Sequence, residues 1–208
     1  MSKISDRQSH WERAYHQKAA QAVSWYRPHL DVSLQLMGRA GLDSRSRVID
    51  VGAGASTLID DLLALGVRSI IALDLSAQSL AATRERLAAR GDCVQWMVAD
   101  ATSAMLPVSS IDIWHDRATL HFLTDPNDVR RYVDVATNAV APGGYAIVGS
   151  FAADGPTQCS GFPVTRRDPE EIAALFASHF VLTESRREIH RTPSGNEQSF
   201  AYALLQRT

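Results

Sequence analysis

Val48-Ile-Asp-Val-Gly-Ala-Gly-Ala-Ser56 carries a run of apolar and β-branched residues straight into two glycines and then into a helix-forming stretch. A short apolar run stopped by a glycine turn reads as a buried strand that hands the chain to the first turn of a helix. Gly52 and Gly54 let the backbone approach a ligand closely, because a Cβ at either position would take up the ligand's space. Strand, GxG turn and helix also open dinucleotide-binding domains, whose fingerprint asks for a third glycine. Thr57 occupies that position here, which argues against NAD or FAD.

Outward from this turn the same alternation repeats. Arg47 to Val51 reads as a strand, Ser56 to Leu65 as a helix closed by Gly66, and Ser69-Ile-Ile-Ala-Leu-Asp74 as a second strand. Ala77 to Arg90 is helical by composition, and Val94 to Ala99 and Ile111 to His115 are further strands. Asn127 to Val140 reads as a helix and Tyr145 to Ser150 as a fifth strand. A βαβ series of this kind calls for a parallel sheet with helices on both faces. The last part differs. A helix from about Pro169 to Ser178 leads to Phe180-Val-Leu-Thr-Glu-Ser185, a turn at Thr192 to Asn196, and a strand from Ser199 to Leu205. Two strands joined by a Pro/Gly turn pair antiparallel. Upstream, Asp6 to Ala20 places Trp11 and Tyr15 on one face of a helix, and Pro28 to Ala40 reads as a second helix.

The length of 208 residues suits one domain with a sizeable core, divided here into a helical lid at 1–41 and an α/β core at 42–208. With 45% hydrophobic and 21% charged residues the composition is that of a globular protein. A net charge of -2 offers no basic field for a phosphate backbone, so nucleic acid is not an expected partner. No apolar run approaches the roughly 20 residues that span a bilayer, and Met1 to His16 lacks the apolar core of a signal peptide. Cys93 and Cys159 have no spacing suggestive of zinc or of a disulfide framework, which fits a reducing compartment. A cytoplasmic protein, monomeric or homodimeric, is the expectation.

Two further acids join the glycine turn. Asp74 closes the second strand, where a carboxylate can accept from both ribose hydroxyls of an adenosine. It could also cap the next helix, although Ser76 is better placed to do so. Asp100, in Val98-Ala-Asp-Ala-Thr102, ends the third strand, where it can accept from the amino group of adenine while the Ala101 N–H donates to a ring nitrogen. As a simple loop acid it would carry no such meaning. Together Asp50, Asp74 and Asp100 make the strand ends negative, which favours a sulfonium over a pyrophosphate.

These residues resemble the class I S-adenosylmethionine-dependent methyltransferase superfamily, and the resemblance covers nearly the whole chain. Val48 to Gly54 looks like the family's first motif, Ala72-Leu-Asp-Leu75 its ribose-binding acid, Val98 to Ala101 its adenine-binding acid, and Ala141-Pro-Gly-Gly-Tyr145 the turn before the fifth strand. Ala53 and Ala55 depart from the Cys, Gly or Thr of many members, though small residues still fit there. The resemblance implies a Rossmann-like, seven-stranded, mostly parallel sheet ending in an antiparallel hairpin. It also implies S-adenosyl-L-methionine as cofactor and S-adenosyl-L-homocysteine as product. His10-Trp-Glu-Arg-Ala-Tyr15, Val23-Ser-Trp-Tyr26 and Trp114 to His121 are similar to the subgroup that contains lysine methyltransferases of citrate synthase and elongation factor 1A. There the corresponding segments close over the cofactor, which assigns that role to Trp11, Tyr15, Trp25, Arg117 and, less directly, His115.

The aromatics could equally be core residues fastening N-terminal helices to the sheet. His115 and His121 lack a third metal ligand nearby. His115, Asp116, His121 and Tyr26 are the groups that could serve as a base, and no sequence context singles out one of them. The expected activity is methyl transfer to a small molecule or a protein side chain. The rival readings are a non-catalytic adenosine-binding regulator and a nucleotide-cofactor oxidoreductase or epimerase.

Overall fold

The computed structural model describes residues 7–13 and 23–208. One seven-stranded sheet holds the chain together. Its strands are β1 (Arg47–Val51), β2 (Ser69–Asp74), β3 (Val94–Val98), β4 (Ile111–Arg117), β5 (Val140–Phe151), β8 (Phe180–Arg191) and β9 (Glu197–Arg207). They lie in the order β3-β2-β1-β4-β5-β9-β8. The pairs among β1 to β5 are parallel, while β9 runs antiparallel to both β5 and β8. The strand order reverses between β1 and β4, and in open α/β sheets a crevice forms outside the strand ends at such a switch point.

Successive residues of the central strands face opposite sides. Val48, Ile70 and Ala72 enter one core cluster with Leu36, Leu58, Leu62 and Leu80. Those last four belong to α2 (Asp31–Arg39), α3 (Leu58–Ala64) and α4 (Ala77–Leu87). Ile49, Val51 and Leu73 enter the other cluster with Tyr132, Ala136, Ile172 and Phe176, carried by α5 (Pro126–Ala139) and α6 (Pro169–Phe176). The sheet is thus a middle layer, apolar on both faces, as parallel strands with helical crossovers require. Residues 7–13 form a further helical segment, α1, outside the sheet.

The expected α/β class, sheet and antiparallel finish are all present, with local differences. The α2 helix begins at Asp31, three residues past Pro28, because the Arg27 carbonyl accepts from the Thr57 hydroxyl at 2.8 Å and Leu30 takes a non-helical φ of -94° and ψ of 68°. The β5 strand already starts at Val140, which pairs with Ile111 across an irregularity in register before Tyr145 meets Ile113. A small hairpin, β6 (Gln158–Cys159) with β7 (Phe162–Pro163), lies between β5 and α6. Ser76 caps α4 by accepting from the Ser79 N–H at 3.1 Å, leaving Asp74 for other work. Among the described residues no helix is long and apolar enough to cross a membrane.

Candidate active site

The strand ends and the loops beyond them form a cleft bordered by Gly52, Asp74, Asp100, Arg117, His121 and Trp11. A smaller cavity adjoins it, sharing Trp25, Gly52 and Arg117 and reaching Asp50 and His115. The glycine turn is the junction. Gly52 has φ +71°, a left-handed conformation that costs an L side chain energy. A Cβ there would sit 2.0 Å from the Thr119 Oγ1. The need for glycine therefore comes from the turn and from Thr119, and not simply from space reserved for a ligand. The Gly52 and Ala53 N–H groups donate to the Leu73 carbonyl at 2.8 and 3.0 Å, which ties the turn to the end of β2.

Asp74 is buried at that point. One carboxylate oxygen accepts from the Gly54 N–H at 2.9 Å and the other from the Ser76 N–H at 2.8 Å. Gly54, with φ +36°, is thus engaged with Asp74 and is not itself among the residues that border the cleft. Burial pushes the Asp74 carboxyl up to about 6, against the two backbone donors that pull it down; the nearby Asp50 adds to the rise. Each oxygen of a carboxylate has two acceptor sites, so each keeps one for a further donor. Leu75 and Ala101 border the same cleft.

Asp100 accepts from the Thr102 N–H at 2.8 Å and from Arg7 of α1 at 3.1 Å. Arg7 also reaches Asp128 at 3.6 Å. Glu12, five residues further along α1, accepts from the Ser76 hydroxyl at 3.0 Å and from the Ala77 N–H at 2.8 Å, at the positive N-terminal end of α4. Between these two anchors Trp11 packs edge-on against Phe122 and Trp25, with centroids 5.0 and 5.9 Å away. A short helix is thereby pinned across the strand ends. Glu12→Ala is expected to weaken this docking by about 1 kcal/mol, the usual worth of a helix-end cap. A red shift of the Trp11 emission reports it, and unchanged emission in the variant would count against the docking.

Asp50 and His115 face one another across the β1 and β4 pairing. His115 Nδ1 bonds Asp50 Oδ1 at 2.7 Å and its Nε2 bonds the Ser33 hydroxyl of α2 at 2.9 Å, all three side chains being buried. With both ring nitrogens engaged, His115 is a fixed part of the floor and not a movable closing element or an open base. Asp50 Oδ2 is buried with no partner. Arg117 donates from Nε to the Tyr202 hydroxyl at 3.0 Å and from Nη1 to the Trp25 carbonyl at 3.1 Å. Its Nη2 is likewise buried with no partner. An orphan acceptor and an orphan donor thus belong to residues of one small cavity.

Asp116, which sequence reading counts among the groups able to act as a base, is structural. It is fully buried and accepts from the Thr119 N–H at 2.7 Å, the Leu120 N–H at 3.0 Å and the Tyr132 hydroxyl at 2.6 Å. Burial raises its carboxyl to about 6 in spite of these donors. Tyr26 borders the smaller cavity. Tyr15 lies outside the described residues. Sequence reasoning missed Arg7, Thr119, Phe151 and Phe200, which also border the cleft. Among the described residues no three His, Cys, Asp or Glu side chains are grouped to hold a metal.

Residues 48–144 match the family model described as Methyltransferase domain. The sheet order, the glycine turn and the acids at successive strand ends agree with that match. The chain is thus similar to methyltransferase domains over 97 of its 208 residues. In sequence it is similar to the eEF1A lysine and N-terminal methyltransferase of Bos taurus, with 28% identity over 120 residues. That match takes in 57% of this chain and only 17% of the relative's length. In fold it is similar to the Burkholderia thailandensis 1,6-didemethyltoxoflavin-N1-methyltransferase, solved with 1,6-didemethyltoxoflavin and S-adenosylhomocysteine bound. There the TM-score is 0.74 at 20% identity, covering 100% of this chain and 92% of the other. A structure solved in work on the conversion of a disulfide bond into a thioacetal group during echinomycin biosynthesis aligns with a TM-score of 0.77 at 20% identity, covering 96% and 92%.

Proposed function

We propose that this chain transfers a methyl group from S-adenosyl-L-methionine to a small molecule or a protein side chain. The observation that carries the reading is the pair of orphan groups beside the glycine turn. A zwitterionic amino-acid end needs one acceptor for its ammonium and one donor for its carboxylate, and Asp50 Oδ2 and Arg117 Nη2 are unpartnered for those purposes. Asp74 would hold the ribose hydroxyls through the acceptor sites that Gly54 and Ser76 leave open. Asp100 and the Ala101 N–H would hold the adenine, with Leu75 against the nucleoside. Trp11 and Trp25 would cover it, Tyr15 being assigned to the same covering by position alone. Gly52 and Gly54 would shape the turn beneath.

When bound, the cofactor supplies a methyl group on a positively charged sulfur that is already a good leaving group. The chain's own task is alignment and exclusion of water, which can contribute on the order of 7 kcal/mol or more to lowering a barrier. The segment 1–41 is proposed to act as a helical cap on a core of 42–208. Cysteine usage supports a cytoplasmic setting, and a monomer or homodimer is proposed.

Titration calorimetry with S-adenosylmethionine, S-adenosylhomocysteine and NAD tests the assignment. NAD binding without a response to the sulfur ligands would overturn it. Labelled cofactor incubated with cell extract separates an enzyme from a regulator, since a regulator labels no acceptor. A pH dependence follows from Asp74. The ribose hydroxyls donate to its ionised form, and with its carboxyl near 6 that form becomes scarce below that pH. Affinity for S-adenosylhomocysteine is therefore expected to fall about tenfold between pH 7.5 and pH 5. The same raised carboxyl favours the folded state most fully below about pH 4, an advantage lost as pH rises through 6, so this group does not unfold the protein in acid. Asp74→Asn should bind more weakly at pH 7.5 and lose the dependence; a wild-type slope in that variant would refute the ribose role.

A further inference from the structure

His121 is a polar group of the cleft that the cofactor reading leaves without work. It sits in the short helical turn Leu120–Phe122 that follows β4, where its carbonyl accepts from the Thr165 N–H at 2.8 Å. Its ring is wedged between Phe122 and Phe151, with centroids 4.3 and 4.6 Å away. The residue is 0% exposed, and neither Nδ1 nor Nε2 has a hydrogen-bond partner. Two orphaned polar atoms on one buried ring are rare in folded proteins, and such a ring bordering a cleft points to a ligand that completes it.

The surroundings say what kind of ligand. The walls on this side are Trp11, Phe122, Phe151 and Phe200, flat and apolar. Arg117 lies over the Phe200 ring at 4.5 Å, so that face already holds a cation of the protein's own. Burial, and the charges of Arg117 and Arg167 after it, push the His121 imidazole down to about 3, which keeps it neutral. The acids Asp74 and Asp100 lie at the end assigned to the nucleoside. Asp116, nearest in the chain, is fully buried against its three donors and does not border the cleft. An ammonium brought here would meet guanidinium groups in addition to the sulfonium, with no carboxylate open to it. An uncharged planar molecule would meet complementary rings, plus one N–H and one lone pair from a neutral imidazole.

We propose that the methyl acceptor is a small planar molecule with an uncharged O–H or N–H nucleophile, held among Trp11, Phe122, Phe151 and Phe200 with that proton directed at His121. The inference rests on the methyltransferase reading and narrows it against a lysine side chain. In the transfer, the acceptor's lone pair forms the bond to the methyl carbon while the carbon–sulfur bond breaks and leaves its pair on sulfur. The acceptor's proton, made strongly acidic by the new bond, passes to the free lone pair of His121 and leaves to solvent with the product. For an O–H acceptor a weakly basic imidazole suffices, because the oxonium formed by the new bond is a far stronger acid.

The test uses the full chain saturated with S-adenosylhomocysteine and two probes, 7-hydroxyquinoline and a lysine-containing peptide, with binding followed by calorimetry and by quenching of Trp11. The quinoline is expected to bind and the peptide not. His121→Phe should weaken quinoline binding about thirtyfold while leaving S-adenosylhomocysteine affinity within about twofold, and His121→Asn, which keeps one donor and one acceptor, should recover most of the loss. Product mass after adding S-adenosylmethionine should show a methylated quinoline with wild-type protein. Binding of the peptide in preference to the quinoline, binding of neither, or undiminished quinoline binding in a folded His121→Phe variant would overturn the acceptor assignment alone. Failure of S-adenosylhomocysteine to bind would instead remove the reading beneath it. If the phenylalanine variant does not fold, the asparagine variant and the two-probe comparison still decide.

Discussion

Gly52→Ala is expected to lower stability by about 3 kcal/mol and to abolish measurable binding of S-adenosylhomocysteine. The φ of +71° alone costs an L residue about 1–2 kcal/mol. The new Cβ would also lie 2.0 Å from the Thr119 hydroxyl oxygen, well inside any tolerable contact. Thr119 cannot simply withdraw, because its hydroxyl donates to the Val51 carbonyl at 3.1 Å and its N–H to Asp116 at 2.7 Å. Relief must come from the turn itself, and the turn positions the N–H of Gly54 on Asp74. Pairing the change with Thr119→Ala removes the collision but not the dihedral cost. The double variant should therefore recover about 1 kcal/mol relative to the sum of the singles. Urea midpoints and calorimetry on the four proteins measure this. Wild-type midpoints for Gly52→Ala, or strict additivity with Thr119→Ala, would mean the turn is not built this way.

The same turn shows what a sequence can and cannot disclose here. Alternation between short β-branched runs and helical stretches is a local property, so the strands from Arg47, Ser69, Val94 and Ile111 are legible, and with them the acids at their ends. The hairpin at 158–163 has only two residues per strand and a Gly/Pro-rich setting, which leaves no period to detect. Pairings across the fold are invisible for a different reason. His115 meets Asp50 and Ser33 from 65 and 82 residues away, and nothing in the three local sequences says that their side chains will share one buried site. For the same reason His115, Asp116 and His121 read alike in sequence, as polar groups at or beyond the end of a strand. Tertiary packing then makes the first a floor, the second a brace and the third an orphan. Ala118 adds a positive φ of 78° within the segment that separates them, and no residue preference announces it.

Asp116→Ala carries the other large expected effect, a loss of about 3–5 kcal/mol in stability together with a collapse of acceptor binding. Three donors converge on this carboxylate, two from the backbone of Thr119 and Leu120 and one from the Tyr132 hydroxyl. Alanine would leave all three unmatched, the Leu120 N–H and the Tyr132 hydroxyl in full burial, and the indole of Trp114, which donates to that same hydroxyl at 3.0 Å, would lose its support in turn. Tyr132→Phe removes only one donor and should cost about 1 kcal/mol, mostly through that indole. The contrast separates the phenol from the backbone pair. Those backbone groups matter for function because they set the turn that holds Thr119 against Gly52 and His121 against the aromatic wall. A pH signature accompanies the loss. Because burial raises the Asp116 carboxyl to about 6, its contribution to stability is full below about pH 4 and declines as pH rises through 6. Denaturation midpoints of Asp116→Ala should therefore show a shallower fall across that window than wild type, leaving the matching slope from Asp74. Equal slopes in the two proteins, or a variant as stable as Tyr132→Phe, would show that the carboxylate is not the brace of this loop.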